Sequence, residues 1–474
     1  MTVRLKSLAV TLFLALWFVG QTWRALLAGF TEDDLMNMYA AWMLPLPKLL
    51  IGNLTPFTAV YRPFGSVFYR LMYDAVGLNP VPFRVAAYSL LLLNIWLVYR
   101  VIRSLTGSAE IAVLSALLFS YHKRLFGLWV NGGTIYDILC FTFFCLALWL
   151  YVSLRKVRGN VAGWGLLALC ALYTLALNSK EMAAGLPVIL LAYELIYEWP
   201  ARNGWARWVY DRRAIWIAAA MTVVAFKFRQ TKESSFHGIP DYDLIISVKR
   251  YFETTVPLVS QVFFLAEDAF TPATVLAFFA LLWALAFALR NRALMLGAAI
   301  IMLAPLPINF ITYRGFFVMY LPMLGWSLYF AAALVVLKDW IASRWPRLAH
   351  FNVALLLATA AFLFVVERRD EVWNFSIVDV KQTLIRGMRT DLLRIRPAMQ
   401  EHGRVLLLTH AFEPDSFVPM YVVRLLYHAP DIAVDCAQSS RAPRPVKLEN
   451  YHLVLAYCGQ HYVEVNQSVC PATK

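Results

Sequence analysis

The sequence predicts a mostly α-helical, polytopic membrane protein: a transmembrane helical bundle of roughly eleven spans, with a small C-terminal α/β domain outside the bilayer. Three observations predict it. Of the 474 residues, 61% are hydrophobic and 15% charged, and the mean hydropathy is +0.60, whereas soluble domains are only about half apolar. Apolar stretches of about 17 to 25 residues recur along most of the chain, each long enough to cross a roughly 30 Å hydrocarbon core as a helix. Past residue 366 the long stretches stop, and short apolar runs at 405–408 and 453–456 flank a helical stretch at 418–427. That alternation is the pattern of a small α/β unit. The chain therefore divides into a membrane domain, 1–366, and an extracytoplasmic domain, 367–474.

The first span, at 8–28, follows a basic start at Arg4 and Lys6 and lacks a small-residue cleavage site, so it reads as a retained helix rather than a signal peptide. Further spans fall at 83–101, 111–126, 135–154, 164–177, 185–197, 214–228, 275–289, 293–310, 316–337 and 353–366. Basic clusters then lie at Arg100 and Arg103, at Arg155, Lys156 and Arg158, at Arg202, Arg207, Arg212 and Arg213, at Arg290 and Arg292, and at Lys338, Arg344 and Arg347. With the N-terminus cytoplasmic, every one of these is inside, as the positive-inside rule requires. The expected location is a multi-pass membrane protein, in the inner membrane if the cell is bacterial, with the C-terminal domain extracytoplasmic. The stretch 256–270 is apolar but interrupted by Pro257, Glu267 and Asp268, and it reads as interfacial or re-entrant. A crossing there would invert everything downstream.

The balance of 43 Lys and Arg against 29 Asp and Glu gives +14. In a membrane protein this excess collects on cytoplasmic turns and at the headgroups. No cationic cluster interleaved with aromatics forms a groove for a nucleic-acid backbone, so nucleic acid is excluded as a partner. Cys140, Cys145 and Cys170 lie in apolar spans, while Cys436, Cys458 and Cys470 lie in the polar tail without zinc-ligand spacing. In an oxidising compartment one pair of the three would bridge and one thiol remain free.

The opposite face carries acids: Asp33, Asp34, Asp74, Asp137, Glu181, Asp241 and Glu253, with Arg62, Lys180 and Arg314 among them. Acidic residues contribute little to topology, so their enrichment there marks a working surface. Four clusters stand out. Thr31-Glu32-Asp33-Asp34 follows the first span; it reads equally as a helix cap and as a general base or cation ligand. Tyr61-Arg62-Pro63 presents a guanidinium that reads as a phosphate or carboxylate contact or as an arginine snorkelling to the headgroups. Asn178-Ser179-Lys180-Glu181 sets adjacent opposite charges close to hydrocarbon, which requires a turn at the interface or a polar cavity. Tyr313-Arg314 leads toward Tyr320-Leu321-Pro322 and reads as a phosphate contact or as an anchoring belt.

Their order resembles a known family. The acid pair after the first span, Tyr61-Arg62-Pro63, Phe83-Arg84, Asn94, the run from Ala116 to His122, Trp129-Val130, Tyr136-Asp137, Ser179-Lys180-Glu181 and Arg314 with Tyr320-Leu321-Pro322 resemble GT-C glycosyltransferases, most closely the protein O-mannosyltransferase-like branch, over about residues 1–340. The sequence departs from that branch at Lys123, where Pro is usual after the His. The resemblance implies an integral membrane glycosyltransferase that moves a sugar from a polyprenyl-phosphate donor to an acceptor hydroxyl on the extracytoplasmic side. It implies Asp33 or Asp34 as the base, and Arg62, His122, Asp137, Lys180, Glu181, Arg314 and Tyr320 as substrate-binding residues. No metal or other cofactor is required with a monophosphate donor, although the acids at Asp33 and Asp34 leave room for a divalent cation. The partners implied are the lipid-linked donor, membrane lipids, and an acceptor glycan, lipid or protein. Two readings from other classes are a transporter or flippase, which calls for charges deep in spans and inverted repeats, and a non-catalytic membrane scaffold with a periplasmic domain.

Overall fold

The computed structural model describes residues 3–56, 60–199, 204–229, 231, 240, 243–345, 352–369, 375–441 and 445–465. Arg202, Asp241, Arg347 and Cys470, named above, lie outside them. The membrane domain comprises α1 (Val3–Thr22), α2 (Glu32–Trp42), α3 (Pro63–Val76), α4 (Pro80–Thr106), α5 (Ala109–Ser120), α6 (Ile135–Arg158), α7 (Trp164–Ser179) and α8 (Leu186–Tyr197), then α9 (Arg213–Arg229), α10 (Val248–Val262), α11 (Pro272–Ala288), α12 (Arg292–Leu303), α13 (Met323–Arg344) and α14 (Asn352–Arg369). Each apolar segment expected from the sequence overlaps one of these helices, although 111–126 also takes in the break after Ser120 and 316–337 the turn ahead of Met323. Local chemistry sets their ends. The side chain of Asn79 accepts from the N–H of Val81 ahead of α4, with Pro80 at the first helical position, and α4 closes on Gly107 at φ +73°, a conformation that favours glycine.

Five apolar helices are long enough to cross a membrane: Ala9–Leu27, Pro80–Thr106, Gly132–Arg158, Arg292–Asn309 and Met323–Arg344. A sixth crossing follows if Ala109–Ser120 and Lys123–Val130, bent by 56°, count as one. The remaining apolar helices are shorter, so length and composition account for five or six crossings among the described residues rather than eleven.

Contacts between helix ends define two faces. At one, Arg155 of α6, Glu194 of α8 and Arg212 ahead of α9 form a single ion network, and Lys338 of α13 pairs with Glu110 of α5. Arg155 and Arg212, from two of the basic clusters, thus meet around one acid. At the other face, α6 begins, α7 gives way to α8, and the Phe316–Tyr320 turn precedes α13. Helix α10 belongs wholly to this second face. The N–H of Ile245, just before it, donates to the carbonyl of Phe310, and just after it Phe264 stacks on His122. The 256–270 stretch therefore returns to its own side, as the interfacial reading requires.

The C-terminal unit contains α15 (Phe375–Ile395), β1 (Arg404–Leu407), α16 (Val418–Leu426), β2 (Ala433–Cys436), β3 (Leu453–Cys458) and β4 (His461–Glu464). The sheet order is β2-β1-β3-β4, with β1 parallel to β2 and β3, and β4 antiparallel to β3. Val405, Leu407, Leu453 and Leu455 form its buried centre. Cys458 is disulfide-bonded and Cys436 is a free thiol. The unit docks on the second face: Arg424 donates to the Tyr39 hydroxyl of α2 at 2.7 Å, and the Tyr73 hydroxyl of α3 donates to the Leu425 carbonyl at 2.6 Å.

Candidate active site at the acid turn

Thr31 begins α2 with a capping box: its hydroxyl accepts from the Asp34 N–H at 3.3 Å, and its own N–H donates to Asp34 Oδ2 at 2.8 Å. This cap separates the two aspartates. Asp34 is 2% exposed, and its Oδ2 also accepts from Arg84 Nη2 at 2.7 Å while Oδ1 faces the Tyr69 hydroxyl at 3.3 Å. Burial, reinforced by the Asp34 charge, pushes the Tyr69 phenol well above its ordinary pKa, so the phenol remains a neutral donor. Asp33, one residue earlier, is exposed. Its Oδ2 accepts from Asn131 Nδ2 at 2.9 Å, and Asn131 Oδ1 in turn accepts from the Thr31 hydroxyl at 3.0 Å.

Behind this turn lie two buried ion pairs. Arg62 donates from Nη2 to both oxygens of Glu181, at 2.7 and 3.0 Å, and stacks over the rings of Tyr61 and Tyr136. Its backbone sits at φ +40°, a left-handed conformation that costs a non-glycine residue about 1–2 kcal/mol. Strain of this kind persists where surrounding contacts over-determine it, often at functional sites. Lys180 donates to the two oxygens of Asp137 at 2.6 and 2.7 Å and lies over the Phe317 ring. Lys180 occupies the extended residue between α7 and the Glu181–Gly185 turn, so the charges predicted near hydrocarbon are held at a helix break and paired. Tyr136 connects these pairs to the acid turn, because its hydroxyl donates to Asn37 Oδ1 at 3.0 Å and Asn37 Nδ2 donates to the Asp33 carbonyl at 2.8 Å. All of this surrounds the N-terminal end of α6, where backbone N–H groups favour negative charge.

Six of the predicted site residues therefore come together: Asp33, Asp34, Arg62, Asp137, Lys180 and Glu181. Tyr320 stands beside them, its ring between Phe119 and Phe141 and its hydroxyl accepting from Asn94 Nδ2 at 3.2 Å. Arg314 is partly buried in the loop before Phe316. His122 belongs to a second feature. It stacks on Phe264 at 4.4 Å, leans on Phe316, and faces the Val262 carbonyl at 3.2 Å. There it lines an apolar cavity of about 630 Å³ between α5, α13 and α14, with Glu367 also in its wall. A neighbouring cavity of about 320 Å³ shares Leu334, Leu355 and Ala358 and extends along α13 and α14 to Lys338, at the opposite face. Among the described residues no three His, Cys, Asp or Glu side chains converge as metal ligands.

Residues 60–227 match the family model of dolichyl-phosphate-mannose-protein mannosyltransferase. This is the branch that the motifs resemble, and the matched segment holds Arg62, His122, Asp137, Lys180 and Glu181, together with Arg84 and Asn131. The chain is thus similar to membrane glycosyltransferases of the GT-C class. The acid turn precedes the matched segment; Arg314, Tyr320 and the C-terminal unit follow it. The crystal structure of the Archaeoglobus fulgidus oligosaccharyltransferase in the apo form is similar over 91% of this chain and 64% of that chain, with 12% identity and a TM-score of 0.48. The chain spans less than two thirds of that protein's length. No curated protein matches the sequence.

Arg84, Tyr69 and Asn131 were not singled out as site residues from the sequence. Arg84 had a signal: an arginine in the first turns of an apolar span is costly unless it is paired or functional. Asn131 had none, because only the fold brings it across to Asp33.

Proposed function

We propose that the protein transfers a sugar from a polyprenyl-phosphate donor to an acceptor hydroxyl at the extracytoplasmic face, with Asp33 as the base. The observation that carries this reading is the division of labour in the acid turn. Asp34 is buried in an ion pair, whereas the neighbouring Asp33 carboxylate is open to solvent, and its backbone is linked through Asn37 and Tyr136 to the buried Arg62 pair. In the step itself, the acceptor oxygen bonds to the anomeric carbon, the bond from that carbon to the donor phosphate oxygen breaks, and the hydroxyl proton passes to Asp33. Arg62, Lys180 and Arg314 are the cations assigned to the leaving phosphate, whose charge needs fixed donors in a dry site. Asp137 and Glu181 hold the first two in place. His122 and Tyr320 wall the donor, whose apolar tail fits the cavity along α13 and α14. A divalent cation bound between Asp33 and Asp34 would have to displace Arg84 from Asp34, so the reading uses protein cations alone. The disulfide at Cys458 supports an oxidising, extracytoplasmic setting for this face, and the basic clusters at the other face support a cytoplasmic one there.

The test compares Asp33→Asn and Asp34→Asn, purified in detergent and assayed with a panel of polyprenyl-phosphate sugars. Asp33→Asn is expected to keep its folded yield and lose about 10²- to 10⁴-fold in turnover, the range for a general base. Asp34→Asn leaves Arg84 buried without its charge partner, which costs about 3–5 kcal/mol, so its loss is expected in melting temperature and yield. Full turnover by Asp33→Asn would remove the proposed base.

A further inference from the structure

The C-terminal unit supplies no group to the reaction proposed above, yet one of its side chains reaches the backbone on both sides of the acid turn. Gln382 of α15 is 3% exposed. Its Oε1 accepts from the Gly29 N–H at 2.7 Å, and its Nε2 donates to the Val130 carbonyl at 3.3 Å. These two backbone groups belong to the two segments that present Asp33. The Gly29 carbonyl accepts from Arg84 Nη2 at 2.5 Å, the nitrogen that also holds Asp34. Val130 is followed by Asn131, which holds Asp33 itself.

The contact is close as well as polar. A Cβ on Gly29 would lie 3.2 Å from Gln382 Cβ, so the turn and α15 meet without room for a side chain between them. Buried backbone groups need partners, and a primary amide is suited to this position because one terminus accepts while the other donates. Next to it, Lys381 lies 3.7 Å from Glu32, on the same turn.

We propose that Gln382 is a positioning residue through which the C-terminal unit fixes the Asp33 carboxylate: it clamps the backbone of Val130, whose neighbour Asn131 holds that acid, and the backbone of Gly29, whose carbonyl takes the Arg84 nitrogen that holds Asp34. This rests on Asp33 being the base. It makes the C-terminal unit part of the working enzyme rather than an appended domain.

The experiment uses the full chain with two variants. Gln382→Met keeps the length of the side chain and removes both hydrogen bonds. Gln382→Glu keeps an acceptor for Gly29 and sets a second oxygen against the Val130 carbonyl. Peptide-level hydrogen exchange over residues 28–34 is read alongside turnover and donor KM. Gln382→Met is expected to lose exchange protection at Gly29 and to lower kcat on the order of 10²-fold, as a misplacement of about 1 Å can, with donor KM unchanged and the melting transition retained. Gln382→Glu is expected to recover protection at Gly29 but little of kcat. Unchanged kcat and unchanged protection in Gln382→Met would overturn the proposal, as would a kcat loss matched by an equal loss of folded protein. If wild-type protein turned over no donor, the Asp33 reading would fall, and exchange at Gly29 would still report whether Gln382 holds the turn.

Discussion

Gly132 and Gly133 have no space for a side chain, because the acid turn packs directly on them. A Cβ on Gly132 would lie 1.7 Å from Asp34 Oδ1, and one on Gly133 would lie 2.8 Å from Asp33 Cβ. The first clash falls on a carboxylate that Arg84, Thr31 and Tyr69 hold on several sides, so it cannot be relieved by a simple rotation. Gly132→Ala is therefore expected to cost about 1–3 kcal/mol, as overpacking a filled site does, and to lower turnover further by shifting Asp33. Gly387→Ala is the control, since nothing lies within 4 Å of a Cβ there. Thermal melts and turnover of the two variants check this. At this scale the sequence was half legible. Thr31, Asp33 and Asp34 could be read as a cap or as a catalytic pair; in the fold Asp34 closes the cap and Asp33 is left exposed. No local pattern separates those roles, because burial by Arg84 and Tyr69 comes from other helices.

Among the elements, the ends of the helices do most to shape the site. Helix α6 delivers Asp137 at its first turn and Arg155 at its last, so one rigid rod ties the acid face to the basic face. At the basic end Glu194, wholly buried, accepts from the Tyr151 hydroxyl at 2.7 Å, from Arg155 at 2.6 and 3.1 Å, and from Arg212 at 2.9 Å. Glu194→Ala is expected to destabilise the bundle by about 3–5 kcal/mol, because it removes the buried counter-charge shared by two guanidinium groups and leaves Arg212 with Asp211 at 4.0 Å. Glu194→Gln, which retains hydrogen-bond acceptance, is expected to lose less. Denaturation in detergent ranks the two. Glu194 was invisible as a partner in the sequence: the basic clusters could be assigned to one face by counting, but pairing across α6, α8 and α9 is a product of packing. The apolar helices, by contrast, were legible in their long apolar stretches, and of the sheet the runs at 405–408 and 453–456 marked β1 and β3 while nothing marked β2 or β4.

The whole molecule has two faces joined by an apolar groove, and the groove makes the reading of the donor testable apart from the chemistry. The cavities beside α13 and α14 share Leu334, Leu355 and Ala358, and they lead from His122 toward Lys338, the path proposed above for the donor's apolar tail. Apolar burial contributes about 0.8 kcal/mol per CH₂, so a chain seated there would add greatly to donor affinity without touching the reacting atoms. Such binding acts equally on ground and transition states and is expressed in KM rather than kcat. Ala358→Trp would place an indole where the two cavities meet. Its expected effect is a rise in KM for a long-chain polyprenyl-phosphate sugar with little change in kcat, and no change in either constant for a short-chain donor that does not reach Ala358. Steady-state kinetics with matched long and short donors measure this. An equal KM rise for both donors would locate the tail elsewhere and leave the groove to ordinary membrane lipid. A fall in kcat for both would mean that α14 is coupled to the site through the contact between the Lys123 N–H and Glu367, at 2.7 Å, and not through the donor's tail.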